Sequence, residues 1–306
     1  MSQRRTAPFA FVEAALDRAE NLRDDHAALA RLWAGGRALV LDAGGRARVD
    51  ADGALLAPRT AQLGDGPGDA LFLGLRGDEG WFAVRAESLD APAGVEPPPG
   101  IDLRTAAATW PDFEATAFAQ ARALLHWRAR HRFCGACGGA LEFRRAGWLG
   151  WCGACALEHY PRTDPAMIVA VTDGERLLLG RSPGWAPRRY SVLAGFVEPG
   201  ESLEQTVARE VFEESSVRVR SCRYLASQPW PFPSSLMLGF EAFAWPDEPH
   251  CASDELEDAR WFTRDEVGAA LRGESGADGL LLSPSISVSR WLVERWHAGA
   301  GVSRRR

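Results

Sequence analysis

The chain of 306 residues contains no run of about 18 apolar residues, the length a helix needs to cross a bilayer, so no membrane span is expected. Its first residues mix Arg4, Arg5 and Arg18 with Glu13, Asp17 and Glu20. That mixture lacks the apolar core of a secretory signal and the acid-poor character of a transit peptide. Positive charge is also short: 41 acidic against 35 basic residues leave −6 at pH 7, which argues against a broad electrostatic grip on nucleic acid. The closing Arg304, Arg305 and Arg306 read as a solvated end. No internal repeat is evident. These absences leave a soluble, cytoplasmic, globular protein as the expectation, long enough for about two domains.

Cysteine is scarce too, yet four of the six are patterned. Cys134-x2-Cys137 and Cys152-x2-Cys155 are separated by fourteen residues, and each pair can present two thiolates from one tight knuckle. Gly135, Gly138 and Gly153 give those turns their backbone freedom. Two knuckles close a tetrahedral site for one Zn²⁺, and with all four positions filled that zinc is structural. A disulfide framework is disfavoured, because nothing in the chain indicates secretion. Cys222 and Cys251 lack such spacing and read as buried or inert thiols.

The patterning divides the chain into an N-terminal α/β domain at 1–125, a zinc ribbon at 126–162 and a larger domain at 163–306. In the first, a helix is expected at 24–33, with strands at 38–42, 46–50, 71–75 and 81–85 around glycine turns. Pro97-Pro98-Pro99-Gly100 reads as a stiff connector, and Pro111 opens a helix to about Arg130. A short hairpin is expected at 141–151. In the last domain, strands are expected at 166–171, 176–180, near 191–193, at 223–226 and at 237–244, with a terminal helix at 289–296. Alternating strands and two helices predict a mixed sheet between helices.

One segment carries chemistry. Gly195 to Val217, GFVEPGESLEQTVAREVFEESSV, places Glu210, Glu213 and Glu214 on a short helix behind a loop pinned by Gly195 and Gly200. Ser202 and Gln205 predict a capping box at its start. Val207, Ala208, Val211 and Phe212 predict an apolar stripe opposite a three-glutamate face. Like charges three and four apart destabilise a helix by roughly 0.2–0.5 kcal/mol per pair. A bound hard cation such as Mg²⁺ or Mn²⁺ would turn that repulsion into coordination.

Gly195, five residues, Glu201, seven residues, then Arg209-Glu210-Val211-x-Glu213-Glu214 resembles the Nudix box almost position for position. The family usually has glycine where this chain has Ser216; a non-glycine residue in a left-handed cap costs on the order of 1 kcal/mol. Eleven residues beyond Ser216 begins Ser227-Gln228-Pro229-Trp230-Pro231-Phe232-Pro233-Ser234-Ser235. Its prolines hold it extended, and its aromatics suit either base stacking or a core plug. Behind a four-cysteine ribbon, SQPWPFPxS resembles the signature of the NADH pyrophosphatases of NudC type. That resemblance implies an α/β (α+β) Nudix fold, a mixed sheet sandwiched between helices, preceded by the ribbon and a rudimentary Nudix-like domain. It also implies a homodimer.

Carried over by the same resemblance, Gln228, Pro229, Trp230, Pro231, Phe232, Pro233, Ser234 and Ser235 bind substrate. Tyr160 contacts the adenine side, Phe196 stacks on adenine, and Ser289 lies in a stretch whose backbone touches substrate. The backbone of Ala194 and the carboxylates of Glu210, Glu213, Glu214 and Glu255 hold several Mg²⁺ or Mn²⁺ ions. Arg209 pairs with Glu201 to fix the loop, and Glu213 or Glu214 serves as general base. The implied reaction is hydrolysis of the NADH or NAD⁺ pyrophosphate to AMP and nicotinamide mononucleotide. Removal of an NAD cap from RNA by the same chemistry is a second reading, and a nucleotide sensor or zinc-ribbon binding protein a third. A strained acidic cluster gives a binding-only domain nothing, which disfavours the third.

Overall fold

A computed structural model describes residues 8–13, 16–89, 98–251, 254–276 and 279–299. Arg4, Arg5, Pro97 and the Arg304–Arg306 tail lie outside that set. The chain divides into two units, one of residues 1–163 with 230–234, the other of 164–229 with 235–306.

In the first unit the Asp25 carboxylate caps α1 (His26–Gly35) by accepting from the Ala28 amide at 2.8 Å. Strands β1 (Arg37–Leu41), β2 (Ala47–Arg48), β3 (Leu71–Arg76), β4 (Glu79–Arg85) and β5 (Gly100–Ile101) form a sheet in the order β3-β4-β1-β2-β5. Leu29, Trp33, Phe72 and Phe82 fill the space between α1 and this sheet. Asp102 caps α2 (Leu103–Thr109), a helix the sequence reading did not anticipate. Its alanine-rich seven residues carry too little apolar periodicity to register. Helix α3 (Asp112–Arg130) follows Pro111 and runs unbroken through residues 125 and 126, so there is no structural break where the ribbon was expected to begin. The ribbon itself is β6 (Leu141–Arg144), β7 (Leu149–Cys152) and β8 (Glu158–His159), the third strand being additional to the expected hairpin.

The second unit is built on β9 (Asp164–Thr172), whose last seven residues are all buried, the mark of a strand covered on both faces. β13 (Ser235–Ala244) pairs parallel with it, while β10 (Arg176–Arg181) and β11 (Leu193–Phe196) pair antiparallel. With β12 (Val219–Trp230) and β14 (Asp258–Thr263) the order is β12-β13-β9-β10-β14, β11 adding on to β9. Met167, Val169 and Val171 point to one side and pack with Val207 and Val211 of α4 (Leu203–Ser215). Their neighbour Thr172 points to the other, where it accepts a hydrogen bond from Trp296 Nε1 at 3.1 Å. That tryptophan belongs to α6 (Val288–His297), so helices cover both faces of the sheet.

Three differences from the sequence reading matter. The strand expected near 191–193 starts at Leu193 and reaches Phe196, Ser191 making only a bridge to Gly180. The strand expected at 223–226 spans 219–230, so Gln228 to Trp230 are strand rather than loop. A third helix, α5 (Arg264–Arg272), follows β14 behind a Thr263–Glu266 capping box. The acidic stretch before it masked both elements.

Candidate catalytic and zinc centres

Local sequence fixes α4. Ser202 Oγ accepts from the Gln205 amide, and the Gln205 side chain returns a bond to the Ser202 amide at 2.8 Å, the expected capping box. At the far end Ser216 adopts φ 59°, the left-handed conformation that favours glycine, and its hydroxyl donates to the His250 carbonyl at 3.2 Å. The faces of the helix differ from the sequence reading. Ala208 and Phe212 are exposed, Phe212 by 52%. Glu210 and Glu214 share the buried side with Val207 and Val211, and only Glu213 is turned outward. Residues 207, 210, 211 and 214 recur every three to four positions, so two carboxylates sit on the inward face.

Arg209 holds this arrangement together. Its Nε and Nη2 bind both oxygens of Glu201 at 2.6 and 2.9 Å, a two-point grip across the loop. Nη1 reaches Glu213 at 2.9 Å and Glu210 at 3.1 Å, and Nη2 also donates to the Phe196 carbonyl at 3.0 Å. Glu201 accepts further bonds from the Glu198 amide and Thr206 Oγ1, and with Arg209 foremost its carboxyl is lowered to about 2. Gly195 is required by contact rather than by dihedral: a β-carbon there would lie 1.9 Å from Glu210 Cδ. Gly200 is required by conformation, at φ +96°.

Burial pushes Glu210 up from the ordinary carboxylate range, with Arg209 opposing. Glu214 is pushed up to about 8, first by burial and then by the charges of Glu210 and Glu255. Its Oε2 is buried and has no hydrogen-bond partner among the described residues. An orphaned carboxylate oxygen, in the negative field of two further carboxylates, is a donor set that fits a hard divalent cation. Glu255 is exposed, yet its charge reaches both Glu210 and Glu214. Ala194 pairs with Ile168 in the β11–β9 ladder, one residue before Gly195. Among the described residues no three of these acids bring their oxygens within 4.8 Å of one another; only the ribbon cysteines converge so closely.

There, Cys134 Sγ lies 3.6 Å from Cys155 Sγ, and Cys137 Sγ lies 3.4 Å from Cys152 Sγ. These separations are too long for disulfides and close to the roughly 3.8 Å edge that four Zn–S bonds of about 2.3 Å imply. The Ala136 amide donates to Cys134 Sγ, chief among the bonds that lower that thiol to about 7, and the Cys155 amide does most to bring Cys152 to about 7. His159 Nε2 sits 3.3 Å from Cys134 Sγ, as an outer-sphere partner of a metal thiolate does. Of the remaining cysteines, Cys222 is half-buried and Cys251 is exposed, and burial foremost pushes both thiols up.

The proline-rich motif separates into parts. Gln228 is fully buried in the second unit, where Nε2 donates to the Ile286 carbonyl and Oε1 accepts from the Val288 amide, each at 2.8 Å. Its side chain is therefore a brace for α6, and the exposed and half-buried residues that follow it are the part of the motif open to a substrate. The Ser289 hydroxyl lies 2.7 Å from Ser191 Oγ and 3.4 Å from Ser283 Oγ in a buried serine cluster, which engages its side chain and leaves its backbone as the part expected to meet substrate. Pro229 and Pro233 are exposed, Pro231 is buried, and Trp230, Phe232, Ser234 and Ser235 are half-buried.

Within the first unit Phe232 is flanked by two guanidinium groups, Arg104 at 4.2 Å and Arg122 at 5.2 Å from the ring centre. Arg122 also donates to the Pro231 carbonyl, and Phe11 lies 6.3 Å from Trp230. The sequence reading missed both arginines, since nothing in a linear pattern links residues 104 and 122 to 232. Tyr160 and Phe196 expose 57% and 59% of their surface, and the Tyr160 hydroxyl donates to Glu158.

Comparison with known proteins matches three segments of the chain. The NUDIX domain model matches residues 161–282, the NADH pyrophosphatase-like rudimentary NUDIX domain 30–127, and the NADH pyrophosphatase zinc ribbon domain 129–160. A protein named NAD-capped RNA hydrolase NudC from Mycobacterium bovis is 43% identical over 290 residues, 92% of each chain. Its namesake from Stutzerimonas stutzeri is 48% identical over 172 residues, 56% of this chain and 58% of that one. A solved NUDIX hydrolase from Nitrosomonas europaea aligns over 55% of this chain and 93% of its own, with 24% identity and a TM-score of 0.42.

Proposed function

The chain belongs to the NudC group of Nudix hydrolases, and on that premise we propose that it hydrolyses the pyrophosphate of an NAD unit, releasing nicotinamide mononucleotide from the adenylate. The unit is either free NADH or NAD⁺ or the 5′ cap of an RNA, whose cleavage leaves a 5′-monophosphate strand. The relatives, named as NAD-capped RNA hydrolases, support the capped form, and the NADH pyrophosphatase-like N-terminal domain supports the free one. The observation that carries the reading is the buried Glu214 oxygen, without a partner among the described residues and set beside Glu210 under Gly195.

A divalent ion, Mg²⁺ or Mn²⁺, would be held by Glu210, Glu213, Glu214, Glu255 and the Ala194 carbonyl, and when bound it neutralises phosphate oxygens and acidifies water. The rest is the work of side chains. Arg209 locks the loop through Glu201 and aims Glu213, which faces solvent and in this reading takes a proton from the attacking water. Burial of Glu210 and Glu214 removes competing water and keeps the carboxylates fixed while charge moves, so little reorganisation is needed during reaction. The exposed rings of Tyr160 and Phe196 are free to stack on a base.

No described helix is long and apolar enough to cross a membrane. A cytoplasmic, homodimeric enzyme with structural zinc completes the proposal. Light scattering checks the assembly against the 33.3 kDa of one chain. The deciding experiment is chromatography of products after incubation with NADH, NAD⁺, ADP-ribose and NAD-capped RNA, each with Mg²⁺ or Mn²⁺. AMP with nicotinamide mononucleotide, or 5′-monophosphate RNA, is the expected outcome; no turnover of any of them defeats the proposal.

A further inference from the structure

The first unit contains a cavity of about 540 Å³ that no catalytic role uses. Arg85 from β4 and Arg128 and Arg132 from the end of α3 and the chain beyond it line it, and Asp69 is the only acid among its described lining residues. Those described residues carry a net excess of two positive charges, in a chain whose total is −6. Trp33, Leu63, Leu125 and Phe143 supply apolar wall. The rim is a turn containing Gly66, Pro67 and Gly68, in which Gly68 adopts φ +47° and so brings bare backbone to the opening.

Backbone carbonyls orient two of the three guanidinium groups, and Arg128 makes one long ion pair. Arg85 donates to the Leu125 carbonyl at 2.9 Å and Arg128 to the Asp69 carbonyl at 2.7 Å, contacts that orient without cancelling charge. Asp69 Oδ1 stands 4.0 Å from Arg128, and its side chain is 95% exposed. Arg128 also stacks on Phe143, 4.6 Å from the ring centre, and Arg132 on Phe133 at 5.5 Å. Burial foremost holds Arg128 below the usual guanidinium range; Asp69 opposes the shift and Arg85 adds to it, so the like charges are near enough to repel. Every permanently cationic side chain in this protein is an arginine, since the sequence has no lysine. Planar forks of this kind match phosphate oxygens two at a time and present a flat face to a base. A volume of some 300–1,000 Å³ is that of small-molecule pockets in general.

We propose that this cavity is a second nucleotide site, taking one phosphorylated nucleotide with its phosphate on Arg85, Arg128 and Arg132 and its base against the apolar wall. The nucleotide is either free or one residue of a single RNA strand, the two sources sharing one chemistry. The proposal rests on the pocket and not on the catalytic reading.

The binding test uses the full-length protein with zinc and no other added divalent ion, and NADH turnover is measured separately with Mg²⁺ added. Two probes are followed by fluorescence anisotropy: a fluorescent AMP analogue and a 3′-labelled, 5′-monophosphate RNA hexamer. Two variants carry the question. Arg85→Gln with Arg132→Gln removes two of the three charges. Ala129→Glu sets a carboxylate in the cavity from an exposed helical position and removes no contact. Wild type is expected to bind, with affinity falling as salt rises. Both variants should weaken binding by roughly tenfold or more, while their NADH turnover matches wild type. Weakening with the hexamer alone identifies RNA as the source; weakening with both probes shows that a free nucleotide suffices. Equal binding by wild type and variants, or no binding by wild type, overturns the proposal. Absent NADH turnover in wild type would instead sink the catalytic reading and leave the binding result intact.

Discussion

Glu214 is where burial and function conflict most sharply. A carboxylate pushed up to about 8 is protonated at neutral pH, and only a bound cation makes its ionised form favourable again. In the folded state its pKa is raised above the unfolded value, so it contributes stability below about pH 4.5 that is lost as pH rises through 8. Melting temperatures without divalent ions should therefore fall across that window. Saturating Mg²⁺ should flatten the slope, as should Glu214→Gln; a slope indifferent to both would refute the assignment. The same variant should lose turnover by about a hundredfold or more while keeping its zinc and its melting transition. Ser216 offers a test in the other direction. Its left-handed conformation costs a non-glycine residue on the order of 1 kcal/mol, so Ser216→Gly should raise stability by about that amount in a denaturant titration, with activity retained.

At the scale of elements, Arg209 clamps the loop before α4, with Thr206 adding one bond to Glu201. Arg209 joins Glu201, Glu213, Glu210 and the Phe196 carbonyl through three nitrogens, a geometry that a lysine's point charge cannot reproduce. Arg209→Lys should leave the helix folded, since the capping box and Val207 and Val211 remain. It should cost kcat/KM roughly tenfold or more by releasing Glu213, and circular dichroism beside kinetics separates the two effects. The ribbon depends on its metal in a different way. Three short strands bury little apolar surface, so zinc supplies much of their folding free energy.

For the whole molecule, the division into two units predicts how zinc loss propagates. The α4–β9–β11 core of the second unit contains none of the four cysteines. Chelation should therefore make the ribbon protease-sensitive while hydrogen exchange in β9 stays slow; equal loosening of both would contradict independent units. A net charge of −6 likewise conceals opposite local charges, since acids gather around Glu210, Glu214 and Glu255 while arginines line the cavity of the first unit.

Short-range grammar was legible without coordinates. The capping box at Ser202, the knuckle spacing of the cysteines, the Arg209–Glu201 pair and the helix after Pro111 are each set by residues within a few positions or turns of one another. Those are the distances over which propensity and spacing act. Which glutamates turn inward was not legible, because helical periodicity defines a face while the sheet packed against α4 decides its orientation. Nor was the fate of Gln228 and Ser289, whose partners lie 58 and 98 residues away in sequence. Phe232 shows the same limit: its motif is local, but Arg104 and Arg122 reach it only through the fold. The sequence by itself determined the metal-binding residue types and their spacing. The tertiary structure alone decided which of those groups lose water, because burial is a property of the contacts that distant segments make.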